Sequence, residues 1–226
     1  MTKNTHLEHP EDTILTGDLS VLDWFLTDSD LSLKIDGAPA IVWGTDPATG
    51  TAFVGTKSVF NKKLIKINHS HEEIDANHSG NVANILHHCF DYLPDFTGII
   101  QGDFIGFGGD NAFCPNTITY VFDEIIHQNI IVAPHTIYVA ENDLRDAIAS
   151  PMILCPKSTE HCLFVAPECN QLDEDWDGIV SFARQMSTLC EFMDDKQAKR
   201  VKQQLNACIR EGFPVDDTTQ DAIASD

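Results

Sequence analysis

The stretch LSLKIDGAPAIVWG, residues 31–44, decides how the chain is to be read. Leu31, Leu33 and Ile35 alternate with Ser32, Lys34 and Asp36, which is the period of a strand with one buried face. Gly37, Ala38 and Pro39 interrupt the alternation, and the apolar run after them predicts a second strand beyond an irregular joint. Lys34 and Asp36, two apart, project to the same face of such a strand, and Gly37 lets a ligand or another backbone come close. A lysine among apolar neighbours loses part of its solvation, which favours the neutral amine and makes Lys34 a candidate covalent nucleophile. Asp36 would then orient the lysine or a ligand. The plainer alternative is a Lys-Asp pair on the solvated face of an amphipathic strand.

Outward from this stretch, TDPATG at 45–50 is a turn signal and TAFVGTKSVF at 51–60 alternates again, so residues 31–60 are expected to form an antiparallel meander. Scattered apolar positions in the acidic residues 7–30 suit a helix or two leading into the fold. NHSHEEIDANHS, 68–79, reads as a polar loop. The helical spacing of Val82, Ile85, Leu86, Cys89, Phe90 and Leu93, with Ser79 as cap and Pro94 as stop, predicts a helix. Three β-branched and aromatic stretches, 97–107, 116–126 and 129–140, predict strands. Residues 141–150 are expected to be helical, 161–166 and 178–183 short strands, 184–212 an amphipathic helix or helix pair, and the last dozen residues frayed. This gives a lead-in at 1–30, a main domain at 31–183 and a helical segment with a tail at 184–226. The class is α+β: antiparallel sheets with outer helices.

Composition narrows the function. A chain of 226 residues with 42% hydrophobic content can bury one good core. No segment has the apolar length of a membrane span or the pattern of a signal peptide, so a cytoplasmic protein with no membrane partner is expected. The seven cysteines include no CxxC pair, which suggests neither a disulfide framework nor a zinc knuckle. Against 35 acidic residues stand 14 lysines and arginines, a formal charge of −21, and this disfavours a general electrostatic grip on nucleic acid. Lys34, Lys57, Lys62, Lys63 and Lys66 nevertheless gather in one district, with no further Lys or Arg before Arg145. That district reads either as a solvated face or as a phosphate site.

Other residues join it. Lys57, in GTKSVFNKK, would lie near Lys34 in a meander and supply a second cation for a triphosphate. Asp103 closes an apolar run in GIIQGDFIGF, where a carboxylate could meet a ribose hydroxyl or a metal-bound water. Tyr120 and Phe122 alternate in ITYVFDE, and either could stack on a base or simply fill a core. His135, in APHTIYV, could face the same pocket as Asp103 or be a satisfied strand histidine. His69 and His71, with His78, His87 and His88 nearby, are either a transition-metal site or ordinary polar histidines.

In this order, KIDG, a basic hairpin, a Gly-Asp strand end and an aromatic strand, the chain resembles the nucleotidyltransferase superfamily of DNA ligases, RNA ligases and mRNA capping enzymes. More specifically, it looks like an uncharacterised family of tailed-phage proteins related to that superfamily. The resemblance covers roughly residues 31–140. It implies a nucleotide cleft between antiparallel sheets, no OB domain, and a chemistry in which Lys34 attacks the α-phosphate of ATP with Mg²⁺ to form a lysyl-AMP. It implies further that Lys57 contacts ribose or phosphate, that Asp103 takes the place of a glutamate, that Tyr120 or Phe122 stacks on the base, that Asp103 and Asp177 (from DWDGIVSF) serve the metal, and that an RNA or DNA end accepts the AMP; Asp36, Gly37 and His135 are expected beside the nucleotide from their own positions. The alternative from another class is a non-enzymatic acidic phage protein that binds a host protein, as a nucleic-acid mimic, in the host cytoplasm.

Overall fold

The computed structural model describes residues 11–27, 35–116, 118–152, 154–166, 176–210 and 217–225. Lys34 and residues 31–34 of the first expected strand lie outside the described residues, and Ile35 and Asp36, which should have ended it, are not in a strand. Two compact units share the chain: Met1–Leu7 with Lys34–Pro167, and Glu8–Leu33 with Glu168–Asp226. The larger unit therefore ends earlier than the domain expected at 31–183, and the N-terminal lead-in groups with the C-terminal helices.

In the larger unit, Ala40–Thr45 (β1) and Ala52–Gly55 (β2) form the expected hairpin, with Val42 opposite Gly55 and Thr45 opposite Ala52. Asp46 closes its turn by accepting from the N–H of Ala48 and the hydroxyl of Thr49. The meander stops there. Lys57–Phe60 is a 3-10 turn capped by Thr56, since Val59 and Phe60 are drawn down onto the sheet and no longer alternate. Asn68 shields the free edge of β2 by exchanging backbone hydrogen bonds with Val54.

The polar stretch expected to be a loop contains a helix, His71–Asn77 (α3), capped by the Ser70 hydroxyl. Its one buried residue, Ile74, leaves no apolar period to read. Gly80–Tyr92 (α4) is the expected helix, burying Ala83, Ile85, Leu86 and Cys89.

Ile99–Phe107 (β3) runs antiparallel to β1 and to Ile130–Val139 (β6). Between these two strands, Ala112–Phe113 (β4) and Tyr120–Val121 (β5) make a two-residue ribbon, and among the described residues Tyr120–Val121 is all that is strand in the stretch expected to be one at 116–126. Phe122 there packs against Phe113 instead of extending a ladder, ring centroids 5.8 Å apart. The helix expected at 141–150 is a single 3-10 turn, Leu144–Asp146, capped by Asp143, followed by Ile148–Pro151 (β7) on the edge of β6. Cys162–Phe164 (β8) pairs with β6 in parallel. Among the described residues the main sheet has six strands, with order β2-β1-β3-β6-β7 and β8 joined to β6.

Alternation along these strands separates two faces. Ile41, Trp43, Ile100, Phe104, Ile130 and Val132 pack with α3 and α4 on one. The opposite face carries two smaller apolar clusters, one around Val42, Phe53, Ile99 and Tyr138 beneath the 3-10 turns, the other around Ile105, Ile131 and Ala133 beneath the ribbon. The α+β class with antiparallel sheet holds, although the second sheet is only the ribbon.

In the smaller unit, Glu11–Ile14 (α1) and Val21–Trp24 (α2) accompany Trp176–Ser187 (α5) and Asp195–Arg210 (α6). Phe25 stacks on Trp176, and Asp23 pairs with Arg184. The strand expected at 178–183 is part of α5, which buries Val180. The tail expected to be frayed forms Asp217–Ser225 (α7) over its described length. Among the described residues no helix is long and apolar enough to cross a membrane.

Candidate functional site

The two small clusters leave a polar band between them. Asp103, 4% exposed, alternates with Gln101, 3% exposed, along β3, and Thr136 on β6 is 2% exposed. A carboxylate so far from water needs partners, because desolvation penalises its charge. One is the segment after Lys34. The Gly37 N–H donates to Asp103 Oδ2 at 3.4 Å, and Ala40 stands opposite Asp103 across the β1-β3 ladder. Only glycine fits there: a Cβ on residue 37 would lie 2.4 Å from the Phe104 carbonyl oxygen. The Ala38-Pro39 peptide is cis, and the Ala38 N–H donates to Phe104 O at 3.0 Å while the Phe104 N–H returns a bond to Pro39 O.

Tyr120 secures the same segment from the ribbon. Its hydroxyl accepts from the Asp36 N–H at 2.9 Å and donates to the Asp36 carbonyl at 3.1 Å. The Asp36 carboxylate accepts from Asn116 Nδ2 at 2.7 Å. Ile35 packs into the cluster of Ile105, Ile131 and Ala133, so the chain on the C-terminal side of Lys34 lies on the Asp103 face of the sheet.

The other wall comes from β6. A register shift between Gln101, opposite Thr136, and Gly102, opposite Pro134, makes His135 the extra residue of a bulge. The bulge turns the imidazole toward β3, with Nε2 at 3.6 Å from Asp103 Oδ1, and Nδ1 pairs with Thr136 Oγ1 at 2.7 Å. Deeper in the band, the Tyr138 hydroxyl donates to Gln101 Oε1 at 2.7 Å, and burial pushes its pKa up to about 12.

Of the residues expected at one site, the structure brings together Asp36, Gly37, Asp103, Tyr120 and His135. Phe122 joins the apolar floor through Phe113. Lys57 is exposed at the start of the turn whose Val59 and Phe60 cover the neighbouring cluster. Lys66 donates to the Asn77 carbonyl at 2.6 Å, so this part of the basic district closes a helix end. Asp177 stands in the first turn of α5, in the other unit. Sequence reading missed Asn116, Gln101 and Thr136. Gln101 did carry a signal, a polar residue two positions before Asp103 in an otherwise apolar strand.

Among the described residues no group of three or more His, Cys, Asp or Glu is arranged to hold a metal. Three of the histidines of 69–88 pair with carboxylates, while His88 Nδ1 meets the Asn84 carbonyl at 2.8 Å. His69 bridges Asp46 at 3.0 Å and Glu73 at 3.2 Å, and His71 and His87 face each other Nδ1 to Nδ1 at 2.7 Å with Asp91 and Asp75 on their outer nitrogens. His78 is held below the ordinary imidazole pKa by burial and by Lys66. A separate cavity of about 140 Å³ on the helix side is lined by Trp43, Phe53, Cys89, Phe90, Leu93 and Phe96.

Fold and site together define an α+β protein with a buried carboxylate beside a part-buried imidazole at the centre of a largely antiparallel sheet. The chain belongs to the family of unknown function DUF6267, whose model matches residues 4–225. No curated protein and no solved structure matches it.

Proposed function

We propose that this protein is a nucleotidyltransferase-like enzyme that binds ATP on the Asp103 face of the sheet and forms a covalent lysyl-AMP at Lys34, as RNA and DNA ligases do. One observation carries the reading. Gly37 of the KIDG stretch and Asp103 of the Gly-Asp strand end, 66 positions apart in sequence, meet in a hydrogen bond on one sheet face. Tyr120, from the aromatic stretch, grips the same segment. In the proposed reaction the neutral Lys34 amine attacks the α-phosphorus. A bond forms from Nζ to phosphorus, the bond from phosphorus to the bridging oxygen breaks, pyrophosphate leaves, and the amine proton passes to solvent. Mg²⁺ would accompany the triphosphate and offset charge on it. Asp103, Asp36 and Lys57 would position ribose and phosphates, and an RNA or DNA end would accept the AMP.

Calorimetric titration of ATP·Mg²⁺ tests the binding half. Wild type should bind one nucleotide per chain. Asp103→Asn should bind more weakly, because the amide keeps the shape but loses the charge. Equal affinity in both would remove Asp103 from the site.

A second reading, a non-enzymatic module that docks on a protein, is supported by the smaller unit. There Ile179, Phe182, Met186 and Leu189 are exposed in a region rich in acidic residues.

A further inference from the structure

We infer that Asp103 Oδ1 and His135 Nε2 are the protein ligands of a divalent transition-metal ion of the Mn²⁺ type, not Mg²⁺. The inference takes its location from the nucleotide reading above, in which Mg²⁺ travels with the triphosphate, and adds a second ion held by the protein itself. The Asp103-His135 separation of 3.6 Å exceeds a hydrogen bond. Two ligands bound at about 2.1 Å to one ion and subtending between a right angle and a trigonal angle stand roughly 3.0 to 3.6 Å apart, so the spacing suits a shared cation.

The imidazole is prepared for that role. Nε2 is buried and has no hydrogen-bond partner among the described residues. Nδ1 is tied to Thr136 Oγ1 at 2.7 Å, which fixes the ring as outer-shell partners fix metal-ligating histidines. Its backbone is equally constrained. His135 is the extra residue of the β6 bulge, and the Met152 N–H from the other flank donates to its carbonyl at 3.1 Å. Opposite the bulge, a Cβ on Gly102 would lie 2.8 Å from the Ala133 carbonyl oxygen, so glycine lets the two strands close up here.

The donors select the ion. Mg²⁺ is a hard cation that takes oxygen ligands, whereas an imidazole nitrogen is a donor for first-row transition metals; of these Mn²⁺ also takes the carboxylate and water oxygens that complete this site, and Zn²⁺ binds the imidazole more strongly. Two protein ligands leave positions for water or for phosphate oxygens, the usual arrangement where a metal meets a nucleotide.

The test is a Mn²⁺ titration of the full chain without nucleotide, followed by electron paramagnetic resonance of the free aquo ion and by electron spin echo modulation of the bound one. The account expects one Mn²⁺ per chain with a ¹⁴N coupling from a directly bound imidazole. Excess Mg²⁺ should not displace it, and Co²⁺ or Zn²⁺ should. His135→Gln and Asp103→Asn should each weaken binding roughly tenfold or more. The ¹⁴N coupling is read on wild type, so it does not depend on the folding of any variant. Absence of Mn²⁺ binding, bound Mn²⁺ without the coupling, or ready displacement by Mg²⁺ would overturn the inference and leave the pair as an ion pair. Mn²⁺ binding with no lysyl-AMP would sink the nucleotidyltransferase reading alone. Lysyl-AMP formation with no Mn²⁺ binding would sink the metal site alone.

Discussion

Asp103 and Gln101 illustrate what buried polar groups demand of their neighbours. Each sits on an otherwise apolar strand and is matched by a group from β6, His135 for the carboxylate and the Tyr138 hydroxyl for the amide. Tyr138→Phe should cost about 1–3 kcal/mol in denaturant unfolding at neutral pH, because it strands Gln101 Oε1 without its donor. The same phenol makes stability pH-dependent. Its folded pKa of about 12 lies above the ordinary value near 10, so the unfolded chain gives up the proton first. The contribution is complete below pH of about 10 and falls as pH rises toward about 12. Tyr138→Phe should lack this part of the alkaline loss, and parallel unfolding curves at neutral and alkaline pH will show whether it does. Gly37→Ala is the companion test on the other strand. The new methyl would meet the Phe104 carbonyl, so it should part the 36–39 segment from β3 and lower stability by about 1–3 kcal/mol, read from the unfolding midpoint.

At the scale of elements, what could be read from the sequence followed from local periodicity. The β1-β2 hairpin was legible from TDPATG, α4 from its apolar stripe and Pro94, and β3 and β6 from their β-branched runs. Elements without such a pattern were not. α3 has one buried residue, and in α5 the apolar run around Gly178 imitates a strand although only Val180 is buried. The site was half legible. Gly37, Asp103 and His135 stand out by residue type, but the bulge that turns His135 toward Asp103, 32 positions away, is a matter of register between two strands, which no local pattern encodes. Packing of α4 and β8 makes a further prediction. Cys89 and Cys162 are fully buried, burial raises the pKa of both, and that of Cys162 reaches about 12, whereas Cys114 and Cys190 are exposed. Iodoacetamide on the native protein near pH 8 should modify Cys114 and Cys190 and spare Cys89 and Cys162 until denaturant is added. Peptide mapping that finds Cys89 labelled as fast as Cys114 would mean that the helix layer does not seal the sheet.

For the whole molecule, charge sets the terms of any nucleic-acid encounter. A chain at −21, with Lys66 already occupied at a helix end, has few cations to replace counterions on a duplex. Binding to plain duplex DNA should be weak and vanish at moderate salt, as fluorescence anisotropy over a salt series will show; tight binding that persists would contradict the charge argument. An acceptor end would have to be recognised locally, at the site itself. The central claim is that the Lys34 stretch and the Asp103 strand end form a nucleotide-transfer site, and the most direct measurement is an intact-mass spectrum after incubation with ATP and a divalent cation, supplied as Mg²⁺ and as Mn²⁺. Wild type should gain the mass of one AMP in an acid-labile linkage, as a phosphoramidate requires. Lys34→Ala should gain nothing, and Lys34→Arg, which stays charged, should still bind nucleotide without forming the adduct. Wild type that gains no mass with either cation while binding ATP no better than Lys34→Ala would contradict the account.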